Sequence, residues 1–189
     1  MIREYSKAII LVIVLLLVHN MDCMDVTHKK LRNSSNASFA QTEMQVLPEG
    51  SWILVKNSQS NMCLTWTSDK IIKQSTCNSK QLNQLWKVKK VEGREGDWVK
   101  ISNINKEFLE NAGRNYTISD VNESASQIFL ATERDSGLNL KNESVKKCLA
   151  PSNLNDGGLV EHISCCDKAI NQWKFEKVNF NSLPIATKK

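Results

Sequence analysis

Histidine is scarce in this chain: three residues of 189, of which only His162 lies beyond the first thirty positions. That is poor material for general acid–base chemistry, and no nucleophile stands in a recognisable arrangement with a base. No Cys-x-x-Cys pair occurs, so a zinc site finds no ligand set, and no metal or cofactor is expected. No basic block occurs either. The formal net charge of +5 is spread along the chain, with lysines beside glutamates and asparagines. This argues against nucleic acid or an anionic membrane surface as partner. An enzyme is not expected: beside one folded domain the chain has no room for a catalytic one.

No apolar run approaches the roughly twenty residues of a spanning helix, so no stable membrane span is expected. The longest, Ala8 to Val18, has the length of a secretory h-region; Arg3 and Lys7 precede it, and His19, Asn20 and Asp22 end it. Residues 1–24 are expected to be a signal peptide rather than a short signal-anchor. No Ala-x-Ala-like site follows, and the cut is placed only in the low twenties. A secreted or secretory-pathway chain meets oxidising conditions, where its six cysteines serve better as disulfides than as metal ligands. Such a chain also exposes its Asn-x-Ser/Thr sequons, at Asn33, Asn36, Asn115, Asn122 and Asn142, to glycosylation.

Asp25 to Gln45 is polar and lacks apolar periodicity; residues 25–47 read as a flexible linker, and 179–189 as a tail. Between them, in 48–178, no stretch of helical length keeps an apolar stripe. Short β-branched and aromatic runs alternate with polar turns, which predicts an all-β fold.

That segment repeats three times. Trp52-Ile53-Leu54-Val55-Lys56-Asn57, Trp98-Val99-Lys100-Ile101-Ser102-Asn103 and Gly137-Leu138-Asn139-Leu140-Lys141-Asn142 end alike. A second anchor follows each final Asn: Cys63-Leu64, Phe108-Leu109 and Cys148-Leu149. The third anchor is Gln84-Leu85-Trp86, Gln127-Ile128-Phe129 and Asn171-Gln172-Trp173, with its aromatic residues 43 and 44 positions apart. One repeat cannot hide its apolar face alone; three around a pseudo-threefold axis bury a common core.

The thrice-repeated Gln-x-Trp, preceded by Cys-Leu and a second Cys, resembles the ricin B-type lectins over roughly Pro48 to Val178. The first repeat is a full match. The second has Phe129 for Trp, and the third has Asn171 at the Gln position or else a one-residue deletion. The resemblance implies a β-trefoil of about a dozen short strands. It gives Trp86, Phe129 and Trp173 core roles, and Gln84, Gln127 and Asn171 the task of tying buried backbone groups. It implies a Cys63–Cys77 disulfide and pairs Cys148 with Cys165 or Cys166. Cys165 is favoured, because its spacing to Trp173 is nearer that of Cys77 to Trp86. The remaining cysteine of the vicinal pair would be a free thiol or an intermolecular link, if Cys23 survives processing.

Sugar-binding repeats of that family carry an Asp two residues after the first Cys, an aromatic just before the second, and an Asn before Gln-x-Trp. Here the Asp position holds Thr65, Glu110 and Ala150; Ser75 and Ile163 stand at the aromatic position; and Asn83 keeps the amide. Candidate sugar-binding residues are therefore Thr65, Trp66, Asp69, Asn83, Glu110 with its neighbour Asn111, and the polar loop from Asn153 to Asp156. His162 reads as a strand surface residue. The function implied is a secreted, non-enzymatic carbohydrate-binding protein attaching to glycans or glycoproteins on cells or matrix. The alternative is a trefoil with degenerate sugar sites that binds a protein partner.

Overall fold

The computed structural model describes residues 47–179; the expected signal peptide, nearly all of the linker and the tail lie outside them. Twelve strands form, four per repeat. They are β1 (Ile53–Asn57), β2 (Cys63–Trp66), β3 (Ile72–Ser75) and β4 (Trp86–Lys90); β5 (Trp98–Asn103), β6 (Phe108–Ala112), β7 (Asn115–Ser119) and β8 (Phe129–Arg134); and β9 (Gly137–Asn142), β10 (Cys148–Pro151), β11 (Val160–Ile163) and β12 (Gln172–Lys177). A one-turn 3-10 segment precedes the last strand of each repeat, at Leu82–Gln84, Ala125–Gln127 and Ala169–Asn171.

Six strands close a ring: β1 pairs β4, β4 pairs β5, β5 pairs β8, β8 pairs β9, β9 pairs β12, and β12 returns to β1. Closure leaves this layer no free edge. The hairpins β2–β3, β6–β7 and β10–β11 cap it. They touch one another through Ile71↔Thr117, Lys73↔Leu159 and Glu161↔Asn115. This is a β-trefoil.

The three anchors explain the closure. Trp86, Phe129 and Trp173 are fully buried, together with Leu64, Leu109 and Leu149. Full burial of such side chains contributes about 1.5–3 kcal/mol each. The indoles also satisfy their N–H groups, Trp86 Nε1 on the Leu64 carbonyl and Trp173 Nε1 on the Leu149 carbonyl, each at 2.9 Å. Phe129 lacks a donor and instead meets the Tyr116 ring, with 5.9 Å between centroids. Gly137 stands where the other repeats have tryptophan. A Cβ there would lie 2.7 Å from the Trp173 carbonyl oxygen, so a side chain would part β9 from β12.

The third repeat has Asn171 in the place of Gln84 and Gln127, without a deletion: all three end their 3-10 segments in register. The Gln84 amide donates to the Thr76 carbonyl and accepts the Asn78 N–H. Gln127 does the same with Asp120 and Asn122. Asn171 donates to the Ser164 carbonyl, but it is one methylene shorter and its buried Oδ1 has no partner.

The strand-ending asparagines are joints between repeats. Asn57 donates to the carbonyls of Ile170 and Gln172, and Asn142 to those of Ser126 and Ile128. Each thus clamps the end of the 3-10 segment of the repeat beside it, the third for Asn57 and the second for Asn142. Asn103 breaks the rule and donates to Glu107 within its own turn.

Disulfides join Cys63 to Cys77 and Cys148 to Cys165. Cys166 is also disulfide-bonded, and no cysteine among the described residues is a free thiol. Cys23 lies outside the described residues.

Candidate functional site

The candidate residues fall into two constellations. In the first repeat, β2 carries Thr65 and Trp66, and the 3-10 segment brings Asn83 and Gln84 over them. Thr65 is buried. Its hydroxyl donates to the Cys63 carbonyl and accepts from Gln84 Nε2, so it supports the pocket floor rather than offering a free acceptor. Asn83 Nδ2 donates to the Trp66 carbonyl at 3.0 Å, which fixes the amide plane. Trp66 packs against the core with its indole N–H enclosed and without a partner. Asp69 is exposed in the turn joining β2 to β3.

The loop between β10 and β11, from the third repeat, reaches this same hairpin. Gln74 Nε2 donates to the carbonyls of Asn153 and Asn155, and the Gln74 carbonyl accepts the Gly157 N–H. These contacts bring Asp156 to the end of β3. Its Oδ2 accepts the Thr76 hydroxyl at 2.9 Å and the Thr76 N–H at 3.4 Å. The Thr76 hydroxyl, assisted by its N–H, the Ser75 hydroxyl and the Gly157 N–H, holds the Asp156 carboxyl below the ordinary aspartate value. Asp156 is exposed. A fixed, ionised carboxylate therefore reaches Ser75, the position where sugar-binding repeats carry their aromatic, in the repeat that keeps Asn83.

The second constellation surrounds Glu110. Its Oε1 accepts from the Ser126 hydroxyl at 2.7 Å; its Oε2 accepts from the Ser119 hydroxyl and from Gln127 Nε2. Partial burial pushes this carboxyl up, but the hydrogen bonds from Ser119, Ser126 and Gln127 outweigh it, and the value stands below the ordinary one. Ser119 and Ser126 occupy the positions equivalent to Ser75 and Asn83. Both oxygens are thus engaged by the protein's own hydroxyls, and the cluster ties β6, β7 and the 3-10 segment where a disulfide is missing.

Beside it, Asn111 Nδ2 lies 3.1 Å from His162 Nδ1 on β11. Burial, helped by Lys147, lowers the His162 value. The third repeat places Ala150 and Ile163 at the carboxylate and aromatic positions and offers no acceptor there. Among the described residues, no group of three His, Cys, Asp or Glu side chains is placed to hold a metal ion. No helix of the described residues is long and apolar enough to cross a membrane.

Two features of the site are not legible in the sequence. The clamping role of Asn57 and Asn142 was signalled by their recurrence, though not their targets. The crossing of Asp156 onto the first repeat left no signal within any one repeat.

No protein-family model matches the sequence, and no curated protein matches it significantly. Solved structures do match. The designed threefold-symmetric protein ThreeFoil is 18% identical with a TM-score of 0.59, over 67% of this chain and 99% of its own. SeviL, solved bound to the asialo-GM1 saccharide, is 19% identical with a TM-score of 0.56, over 68% and 98%. The Polyporus squamosus lectin, solved with Neu5Aca2-6Galb1-4GlcNAc, is 17% identical with a TM-score of 0.58. That match covers 70% of this chain and half of the lectin's length. With its three repeats, closed ring and three capping hairpins, the chain shares the β-trefoil fold of these proteins and resembles ricin B-type lectins in it.

Proposed function

We propose that this protein is a secreted, non-enzymatic carbohydrate-binding protein whose sugar site lies on the first repeat. One observation carries the reading: the exposed, ionised Asp156 carboxylate, fixed by Thr76 on the repeat that keeps Asn83. A shallow sugar pocket needs a group that accepts hydrogen bonds from neighbouring hydroxyls, and ionised acceptors make the stronger bonds. The position that supplies this group in sugar-binding relatives is Thr65, which is buried and engaged. The loop of the third repeat brings a carboxylate instead, with Asn83 as the second polar contact and Asp69 at the hairpin tip within the same repeat. That solved structures with this fold include SeviL and the Polyporus squamosus lectin, both with bound saccharides, supports the reading. The glycans it would meet are those of cell surfaces or matrix.

A second reading is favoured by the other two repeats. Glu110 is satisfied internally and Ala150 offers no acceptor. If the first repeat is equally silent, the trefoil serves protein contacts through its loops.

A glycan array probed with the oxidised full chain separates the two. The wild type is expected to bind a coherent glycan set. Asp156→Asn and Asn83→Ala should weaken it by about tenfold or more, the loss of a charge-assisted hydrogen bond, and Glu110→Gln should not. Absence of binding at high multivalent density would overturn the sugar reading in favour of a protein partner.

A further inference from the structure

We infer a second ligand site, for a sulfated saccharide, in the gap that the second repeat opens by lacking a disulfide. Phe108 pairs with Ser102 as Cys63 pairs with Lys56 and Cys148 with Lys141. Phe108 and Val121 thus stand where the other repeats place Cys63–Cys77 and Cys148–Cys165. Two adjoining cavities of about 420 and 230 Å³ lie here, sharing Lys89, Lys90, Glu92 and Phe108; Val121, 61% exposed, lines the smaller one.

Around the axis this gap carries the most lysine: Lys87, Lys89 and Lys100 on its two outward rungs, against Lys141 in the next repeat, and Lys56 and Lys174 offset by Glu176 in the third. On the outward face of the ring the rungs beside it are Lys87↔Ser102 and Lys89↔Lys100. The second rung is Thr132↔Asn139 in the next repeat and Glu176↔Leu54 in the third. Like charges directly opposite across a ladder repel; the other such rung of the ring is Lys56↔Lys174, and there Lys56 is paired with Glu176 at 3.2 Å. Lys100 is 9% exposed, donates to the Asn122 carbonyl at 2.8 Å and has the Glu123 carboxylate 3.6 Å away. Lys90 is paired with Asp97. Lys87 lies over the Trp52 ring, and neither Lys87 nor Lys89 has a carboxylate partner among the described residues.

The chemistry of the gap selects the ligand. Lysine ammonium groups are point charges and suit the diverging oxygens of a tetrahedral oxyanion; a planar carboxylate favours the guanidinium fork, and no arginine lines either cavity. The half-buried Phe108 ring and the exposed Val121 offer apolar surface to the C–H face of a sugar ring. Glu49, Glu92 and Glu123 also line the walls and repel a continuous polyanion. The fitting ligand is a saccharide with isolated sulfate groups, held by Lys87 and Lys89 over Phe108. This site is separate from the one proposed on the first repeat.

The test titrates the oxidised full chain with a monosulfated lactose, with lactose, and with inorganic sulfate. The sulfated sugar should bind best, and raised salt should weaken it. Lys87→Gln with Lys89→Gln should weaken it by at least about fivefold. A Phe108→Cys, Val121→Cys variant whose bridge is verified by mass should lose it. All titrations are run in the Asp156→Asn background, which removes the first-repeat site, so failure here and failure of that site are read apart. Equal binding of lactose, equal binding of inorganic sulfate, no binding of the sulfated sugar, or binding indifferent to the lysine pair would each overturn the inference.

Discussion

Replacing Gln84 by Met tests whether the Gln-x-Trp signature acts through its amide. Gln84 is fully buried and makes three hydrogen bonds: the Asn78 N–H at 2.7 Å, the Thr76 carbonyl at 3.0 Å and the Thr65 hydroxyl at 3.1 Å. Met keeps much of the volume and none of the bonds. Thr65 still donates to Cys63. Asn78 and Thr76 are exposed residues that water reaches in part, so each lost bond is taken near the low end of its range. The sum is about 3 kcal/mol. For a domain of this size that lowers the urea midpoint by roughly 1.5–2 M and the melting temperature by about 10 °C. Asn171→Leu is the internal comparison. It loses the Ser164 bond and the weaker one to Cys166 Sγ, but it also removes a buried oxygen without a partner, so its loss should be about 1 kcal/mol. Urea unfolding by fluorescence, on oxidised protein, measures both. A Gln84→Met loss no larger than that of Asn171→Leu would refute the reasoning and make the signature a matter of shape alone.

The asparagines that end β1, β5 and β9 should rank by their targets. Asn57→Ala and Asn142→Ala each release two carbonyls of the repeat beside them and should lose about 2–3 kcal/mol, whereas Asn103→Ala should lose about 1; thermal unfolding of the three variants checks the order. Glu110 gives a pH prediction. Its folded value is depressed, so its stabilisation is present above the ordinary glutamate value of 4.5 and is lost as pH falls through the folded value. Glu110→Gln should flatten the acid limb of the stability curve below that pH, as followed by urea midpoints between acid and neutral pH.

The trefoil was legible because its anchors recur. A residue that packs on a threefold axis is under the same constraint three times, so Trp86, Phe129 and Trp173 declare themselves by spacing. The disulfides followed from the resemblance, and Cys165 was separable from Cys166 by its distance to Trp173. The candidate site was less legible because it is assembled between repeats. Comparing repeats aligns Thr65 with Glu110 and Ala150, but it is silent about Asp156, which acts on another repeat's strand. Burial was the other missing term: Thr65 reads as a polar residue at a binding position, and only the fold shows its hydroxyl turned onto Cys63 and Gln84. The same holds for the sequon at Asn142, fully buried with its amide nitrogen given to two carbonyls, while Asn122 is exposed.

The pairing of β1 with β12 brings Ile53 beside Lys177 and continues in register to Asn57 beside Trp173. These contacts span nearly the whole described length, so closing the ring requires the first strand to wait for the last. Loop-closure entropy is met in full before those contacts form, which places the domain among slow folders, in the millisecond-to-second range. During synthesis the first repeat emerges with one flank of β1 uncovered, and that flank stays open to foreign strands until the third repeat arrives.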